Sequence, residues 1–231
     1  MTPTLIVHIV AGCIGILSGF AAVSVRKGER LHRTFGTAFF LSMLITSALA
    51  IYLAAFVPPV AAASAAPPGA SIAIAALTFY LALTAWMTVR RRDGSVGLPE
   101  KLGCVAAAGL AAILVALGLR AAWYPTGGFN PPQPYFVFAA LAALSAVLDL
   151  KVILRRGISG VPRIARHVWR MSTAFFFAAA FFFIGQQKVM PAALHRSPVL
   201  FVLAFAPLLI MIFWLVRIRF GDRFKTEPRS T

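Results

Sequence analysis

Long apolar stretches alternate with short basic segments along the whole chain. Each stretch is close to the 20 or so mainly apolar residues that a helix needs to cross the roughly 30 Å hydrocarbon core of a bilayer. They predict an all-α polytopic membrane protein with seven transmembrane helices. The sixth stretch is the shortest, and its helix is expected to begin near Ile164, with Arg166 and Arg170 extending toward the lipid headgroups. The seven stretches are Leu5–Val25, Phe35–Val57, Ile72–Val89, Leu102–Leu119, Tyr135–Leu154, Met171–Gln187 and Pro198–Val216.

The composition agrees with this pattern. Of the 231 residues, 60% are hydrophobic and 12% are charged, whereas a soluble domain has about a quarter of its residues charged. The net charge of +16 would suggest a nucleic-acid partner if the basic residues shared one surface. They lie instead in short clusters between apolar stretches, so the lipid bilayer is the expected partner and nucleic acid is not.

The basic residues also predict an orientation. Of the 22 Lys and Arg residues, all but Arg120, Lys188 and Arg196 lie in the connections on one side of the bilayer and in the C-terminal tail. Because cytoplasmic loops carry an excess of Lys and Arg, the N-terminus is expected outside and the C-terminus in the cytoplasm. Residues 1–221 are expected to form the transmembrane domain, and residues 222–231 a short basic cytoplasmic tail.

Two basic segments carry a histidine directly before a long apolar stretch. They read GERLHRTFG around His32 and ARHVWRM around His167, and both histidines are expected at the cytoplasmic edge of the membrane. His8 and His195 are expected at the outer edge, His195 solvated in a short loop. His8 and His32 are separated by about 36 Å of helix, so these two cannot share a ligand.

Small residues align with the histidines of the first and second helices. His8 and Gly12 lie within about 40° of the same helical line as two further glycines, and Gly36 follows His32 in a similar way. Such a face allows close packing of transmembrane helices. Alternatively, it forms a groove for a flat macrocycle, with a histidine as the axial ligand of haem iron. The aligned residues of the first helix are His8, Gly12, Gly15 and Gly19.

The best candidate site pairs His32 with His167, which share a leaflet. These two residues are candidate axial ligands of haem b iron, or contacts for a quinone. Arg170 and Arg33 are expected to anchor the topology, or else to neutralise a haem propionate or a lipid phosphate. The chain has no phosphate loop, dinucleotide-binding glycine pattern, Cys-x-x-Cys or HExxH motif, so no soluble-enzyme chemistry is predicted.

Asp149 is the one acidic residue well inside an apolar stretch. A carboxylate within a membrane is costly and normally faces a partner or a cavity. One hypothesis is that Asp149 accepts a hydrogen bond from His167 or His32 and so orients the imidazole, as carboxylates orient metal-bound histidines. The plainer expectation is an ion pair with a nearby arginine: Arg155, Arg156 or Arg170.

The histidine-containing segments also support a resemblance. The pattern HIVAGCIGILSGFAAVSVRKGERLHRTFGTAFFLSM, together with RIARHVWRMSTAFFFAAAFFFIGQQ and the later FWLVRIR, resembles a widespread family of uncharacterised bacterial multipass membrane proteins, one of the domain-of-unknown-function families. The resemblance implies a bacterial inner-membrane location and no particular activity. More loosely, the histidine placement resembles that of b-type di-haem membrane cytochromes. The family-typical positions are His8, Gly12, Gly19, His32, Arg33, Gly36, His167, Arg170, Met171 and Gln186.

Two hypotheses for the function follow. In the first, the protein binds haem or a quinone through its membrane-edge histidines and takes part in membrane electron transfer with a redox partner protein. In the second, it is a non-enzymatic small-solute permease or an assembly factor for a respiratory complex. The histidines and Asp149 would then form a polar, hydrogen-bonded seam between helices.

Overall fold

The described part of the chain is helical, which confirms the predicted all-α class. The computed structural model describes residues 2–57, 68–91, 95–124 and 131–221, and these ranges contain no strand. Two short 3₁₀ turns, Gln187–Val189 and Ala192–Leu194, precede the last helix. The long helices are α1 (Pro3–Ser24), α2 (Arg30–Phe56), α3 (Pro68–Arg90), α4 (Leu98–Trp123), α5 (Gln133–Leu154), α6 (Gly160–Phe183) and α7 (Pro198–Phe220).

Six of these helices are long enough and apolar enough to cross a membrane. Within the described ranges, α6 is the long helix that does not meet this standard, although the sequence predicts a seventh span there. The polar residues in the first half of α6, among them Arg163 and His167, lower its hydropathy. The predicted orientation and the extent of the transmembrane domain stay predictions, and the tail at residues 222–231 lies outside the described residues.

Several helices begin before the apolar stretch that predicts them. α2 starts at Arg30 rather than Phe35, and α6 starts at Gly160, whose positive φ of 58° is a backbone conformation that suits glycine. Charged residues can continue a helix at the membrane edge because their side chains reach water or polar partners. As a result, His32 lies in the first turn of α2 and His167 lies within α6.

The chain divides into two compact units. The first unit contains α4 and α5, which pack against each other. Its close packing is visible at Gly118, where an added Cβ would lie 3.0 Å from the ring of Phe136. The segments of the first unit are Met1–Ile9, Ile45–Tyr80 and Gly94–Gly157.

The second unit contains α6 and α7, which pack against each other, together with parts of α1, α2 and α3. It holds both basic histidine segments, the one around His32 in α2 and the one around His167 in α6. An aromatic cluster forms its core, where the Phe175 ring lies edge-on to Phe20 and Phe39 at centroid distances of 4.8 and 5.4 Å. Phe40 stacks on Trp86 at 4.5 Å. The segments of this unit are Val10–Leu44, Leu81–Asp93 and Ile158–Thr231.

Large apolar side chains are exposed along the spanning helices, for example Leu17 on α1, Val105 on α4 and Leu209 on α7. Exposed rows of this kind are unfavourable in water but suit hydrocarbon. The chain is therefore a multipass membrane protein whose helices contact lipid.

Candidate functional site

His32 binds the C-terminal end of the preceding helix. Its Nδ1 lies 3.0 Å from the carbonyl oxygen of Ala22, in the last turn of α1. The last four carbonyls of a helix have no partner within the helix, so a donor from elsewhere stabilises them. His32 therefore has an identifiable structural role at the end of α1.

Lys27 binds the same helix end. Its Nζ donates to the carbonyl oxygens of Ala22, Val23 and Val25 at 3.2, 2.6 and 3.1 Å. A cation at a helix C-terminus is also favoured by the partial negative charge there. Partial burial lowers the pKa of the Lys27 ammonium, whereas the three carbonyl acceptors favour its charged form. We refer to Lys27 and His32 together as the α1 cap.

A second, similar arrangement closes α3. Arg163 donates from Nε to the carbonyl oxygen of Thr88 at 2.9 Å and from Nη2 to that of Val89 at 3.0 Å. Both carbonyls lie in the last turn of α3. Arg166 donates from Nη1 to the hydroxyl oxygen of Thr88 at 3.1 Å.

His167 completes this second arrangement one turn further into α3. Its Nδ1 lies 3.1 Å from the carbonyl oxygen of Ala85. We refer to Arg163, Arg166 and His167 together as the α3 cap. Both basic histidine segments therefore supply donors to the C-terminal end of another helix.

The hydrogen bonds also fix the tautomer of the histidines. A carbonyl oxygen can only accept, so Nδ1 of His32 and of His167 must carry the proton. In the neutral ring this leaves Nε2 with the free lone pair. His8, in the first unit, has the same arrangement, with Nδ1 3.1 Å from the carbonyl oxygen of Thr46.

The predicted inner pair lies in one unit of the structure. His32 and His167 both belong to the second unit, and each is bonded to a carbonyl near the C-terminal end of another helix. His195 is exposed, and its Nε2 lies 3.0 Å from the carbonyl oxygen of Met190. In the part of the chain that the structure describes, no group of three or more His, Cys, Asp and Glu residues is placed to hold a metal ion.

The glycines of α1 accommodate neighbouring side chains. A Cβ added at Gly19 would lie 2.8 Å from the ring of Phe175. One added at Gly15 would meet Ser42 and Met43 at 3.4 and 3.5 Å. These contacts favour the close-packing interpretation over a groove for a macrocycle at these two positions.

The other two predicted glycines are less enclosed. Gly12 is half-buried, and a Cβ added at Gly36 would meet no atom within 4 Å. Neither glycine therefore shows the tight contact with a neighbouring side chain that Gly19 makes.

The two arginines expected to extend toward lipid headgroups are buried in the protein instead. Arg166 is 8% exposed and Arg170 is 0% exposed, so the predicted extension to the headgroups is wrong for both. The Arg170 guanidinium lies over the ring of Trp169, 5.3 Å from its centroid. Burial follows from their position on α6, where Arg166 reaches Thr88 at the end of α3.

Asp149 has a partner that sequence reasoning missed. The hydroxyl of Tyr80, in α3, donates a hydrogen bond to a carboxylate oxygen of Asp149, and both residues are buried. Arg155 and Arg156 are exposed. Asp149 belongs to the first unit and the inner histidines to the second, so the hydrogen bond that Asp149 would accept from His167 or His32 stays a prediction.

The comparisons with known proteins agree with the membrane assignment. No curated protein and no solved structure matches the chain, so the looser likeness to di-haem cytochromes has no support. Residues 5–98, which include His8, Gly12, His32 and Gly36, match the model of a family described as a predicted membrane protein of unknown function, DUF2306. This match confirms, over α1 to α3, the resemblance to a domain-of-unknown-function membrane protein family.

Proposed function

We propose that the protein binds a quinone of the membrane through Nε2 of His32 and His167. The observation that carries the proposal is the shared anchoring of the two rings. Each holds its Nδ1 on a backbone carbonyl, at 3.0 and 3.1 Å, and both rings belong to the second unit. Each ring thus offers a basic Nε2 for a ligand of this unit.

This arrangement suits the chemistry of a quinone headgroup. A neutral imidazole accepts a hydrogen bond from a quinol hydroxyl at Nε2, and a protonated one donates to a quinone carbonyl. Two such rings can together hold the two protons that separate a quinol from its quinone. Because Nδ1 stays bonded to its backbone carbonyl throughout, neither imidazole ring has to rotate when its Nε2 gains a proton.

Haem b is the second ligand that these atoms fit. Metal-bound histidines commonly donate their other ring N–H to a carbonyl or carboxylate, which orients the ring and fixes its tautomer. Arg170, near the same end of α6, would then be a partner for a propionate. Side chains fill the groove at Gly15 and Gly19, which leaves less room there for a macrocycle than for the smaller quinone headgroup, whereas a Cβ at Gly36 beside His32 would meet no atom within 4 Å.

The wider role proposed is membrane electron transfer in the bacterial inner membrane, with a redox partner protein. This role depends on the identity of the bound ligand. The chain's own contribution is to hold the headgroup and exchange its protons. The electrons belong to the ligand and to that partner.

The test uses the full chain purified in detergent from haem-supplied cells. Binding of a short-tailed ubiquinone, measured by equilibrium dialysis, is expected to weaken about tenfold in His32→Gln or His167→Gln. Glutamine keeps an N–H donor for the carbonyl but has no basic nitrogen. His195→Gln is the matched control and should bind as the wild type does. An absorption spectrum of the same preparation reports haem by its Soret band.

A colourless protein that binds ubiquinone equally well with and without the two histidines contradicts the proposal. The histidines would then be structural donors alone. That result would favour the second hypothesis from the sequence, a non-enzymatic permease or an assembly factor.

A further inference from the structure

An open cavity of about 750 Å³ lies between the end of α1 and the end of α7. All of its lining belongs to the second unit. Three cations line it, Arg26, Lys27 and Arg217, and Glu29 is the acid among the described lining residues. Trp214 forms part of its wall.

The indole of Trp214 lies between two of these cations. The Nζ of Lys27 is 5.3 Å from the ring centroid and the guanidinium of Arg217 is 5.2 Å from it. A half-buried tryptophan beside cations is typical of the interface between headgroups and hydrocarbon. A cavity with this lining suits the depth at which lipid phosphates lie.

The three cations differ in the contacts that they make with other groups of the protein. The ammonium of Lys27 bonds to the end of α1, and Arg26 pairs with Glu29 at 3.4 Å. Arg217 is exposed, and its guanidinium lies over the rings of Phe213 and Trp214, 5.9 and 5.2 Å from their centroids. An arginine fork of this kind matches two oxygens of a phosphate.

We propose that this cavity binds a phosphate group, supplied by an anionic phospholipid, with Arg217 as its main contact and Arg26 and Lys27 adding positive charge. Basic pockets at helix ends near the cytoplasmic surface recognise anionic headgroups in this way. The site uses neither His32 nor His167, but Lys27 belongs both to its lining and to the α1 cap. Its test therefore varies Arg217, which is not part of that cap.

The test uses the fluorescence of Trp214 in the full chain reconstituted in phosphatidylcholine vesicles. Brominated phosphatidylglycerol, added as a minor component, is expected to quench this fluorescence more than brominated phosphatidylcholine at the same fraction. The excess quenching should be lost in Trp214→Phe, which identifies the reporter. In Arg217→Gln the apparent affinity for phosphatidylglycerol should fall about tenfold.

Arg219→Gln is the matched control, because Arg219 is exposed on the same helix end but does not line the cavity. The Trp214 fluorescence of Arg219→Gln should be quenched by each lipid as strongly as that of the wild type. Equal quenching by the two lipids, or an equal loss in Arg217→Gln and Arg219→Gln, would overturn the proposal. Circular dichroism checks that each variant is folded.

A second arm separates the two sources of phosphate. Sodium phosphate is compared with sodium chloride at equal ionic strength. Excess quenching that persists in both salts identifies the lipid as the source. Excess quenching that inorganic phosphate alone removes shows that phosphate from solution competes with the lipid for the cavity, which supports the phosphate site. A Trp214 signal that changes in sodium phosphate but not in sodium chloride, with no excess quenching by phosphatidylglycerol, would contradict the lipid as the source.

Discussion

The α1 cap and the α3 cap use the same chemistry over very different distances along the chain. Lys27 and His32 bind the helix that directly precedes them, with His32 reaching back 10 residues to Ala22. Arg163 and His167 bind a helix that lies 74 to 82 residues earlier. The first arrangement closes a local turn, whereas the second joins two helices that the chain does not hold together by itself.

This difference predicts which cap matters more for stability. The ends of the local turn are held close together by the short chain between them. The donors of the α1 cap therefore add little stability beyond satisfying the carbonyls of α1. The α3 cap must itself hold α6 at the end of α3. Substitutions in the α3 cap should therefore cost more free energy of unfolding than matched substitutions in the α1 cap.

The largest effect is expected for Arg163→Gln, at about 2 kcal/mol of unfolding free energy. The substitution removes a charged donor that serves two carbonyls in the last turn of α3. Unfolding by sodium dodecyl sulfate in mixed micelles, followed by circular dichroism, measures the loss. Arg155→Gln, at the exposed end of α5, is the control. Equal stabilities for the two variants would refute the long-range role of Arg163.

The next effect is expected for His167→Phe, at about 1 kcal/mol. Phenylalanine keeps an aromatic ring but cannot donate to the carbonyl of Ala85. His32→Phe should lower the unfolding free energy by less, because Lys27 still donates to the Ala22 carbonyl after the hydrogen bond from His32 is lost. The same unfolding assay compares the two variants. A larger loss in His32→Phe would break the proposed ranking of the two caps.

The helices themselves could be predicted because a chain in hydrocarbon must satisfy its backbone bonds within each segment. The apolar stretches therefore mark them, and the histidine segments mark their polar ends. The position of Lys27 just beyond α1 also carried a usable signal, since basic residues at helix ends commonly bind the last carbonyls. In the sequence, that signal has the same form as charge that fixes the topology.

The partners of the α3 cap could not be predicted in the same way. Backbone carbonyls have no sequence signature, so nothing in RIARHVWRM points to Thr88, Val89 or Ala85. The same holds for Asp149, whose partner Tyr80 lies 69 residues away on a mainly apolar helix. The burial of Arg170 was missed because arginine at a membrane edge more often extends toward water.

A smaller effect is expected for Lys27→Gln, at about 0.5 to 1 kcal/mol. Glutamine removes the charge that faces the C-terminal end of α1, although its amide can still donate to one carbonyl. Lys27→Arg keeps the charge and should recover most of the loss. Thermal unfolding monitored by circular dichroism measures both. If Lys27→Gln cost as much as Arg163→Gln, the contrast between a local and a long-range cap would fail.

The smallest effect expected is the coupling between the two caps. Lys27 acts on the end of α1 and Arg163 on the end of α3, and the two share no acceptor. Substitutions without shared partners usually add to within about 0.5 kcal/mol. The double variant Lys27→Gln/Arg163→Gln should therefore lose the sum of the two single losses within that margin. A larger coupling energy in the double-mutant cycle would mean that the two caps act as one network.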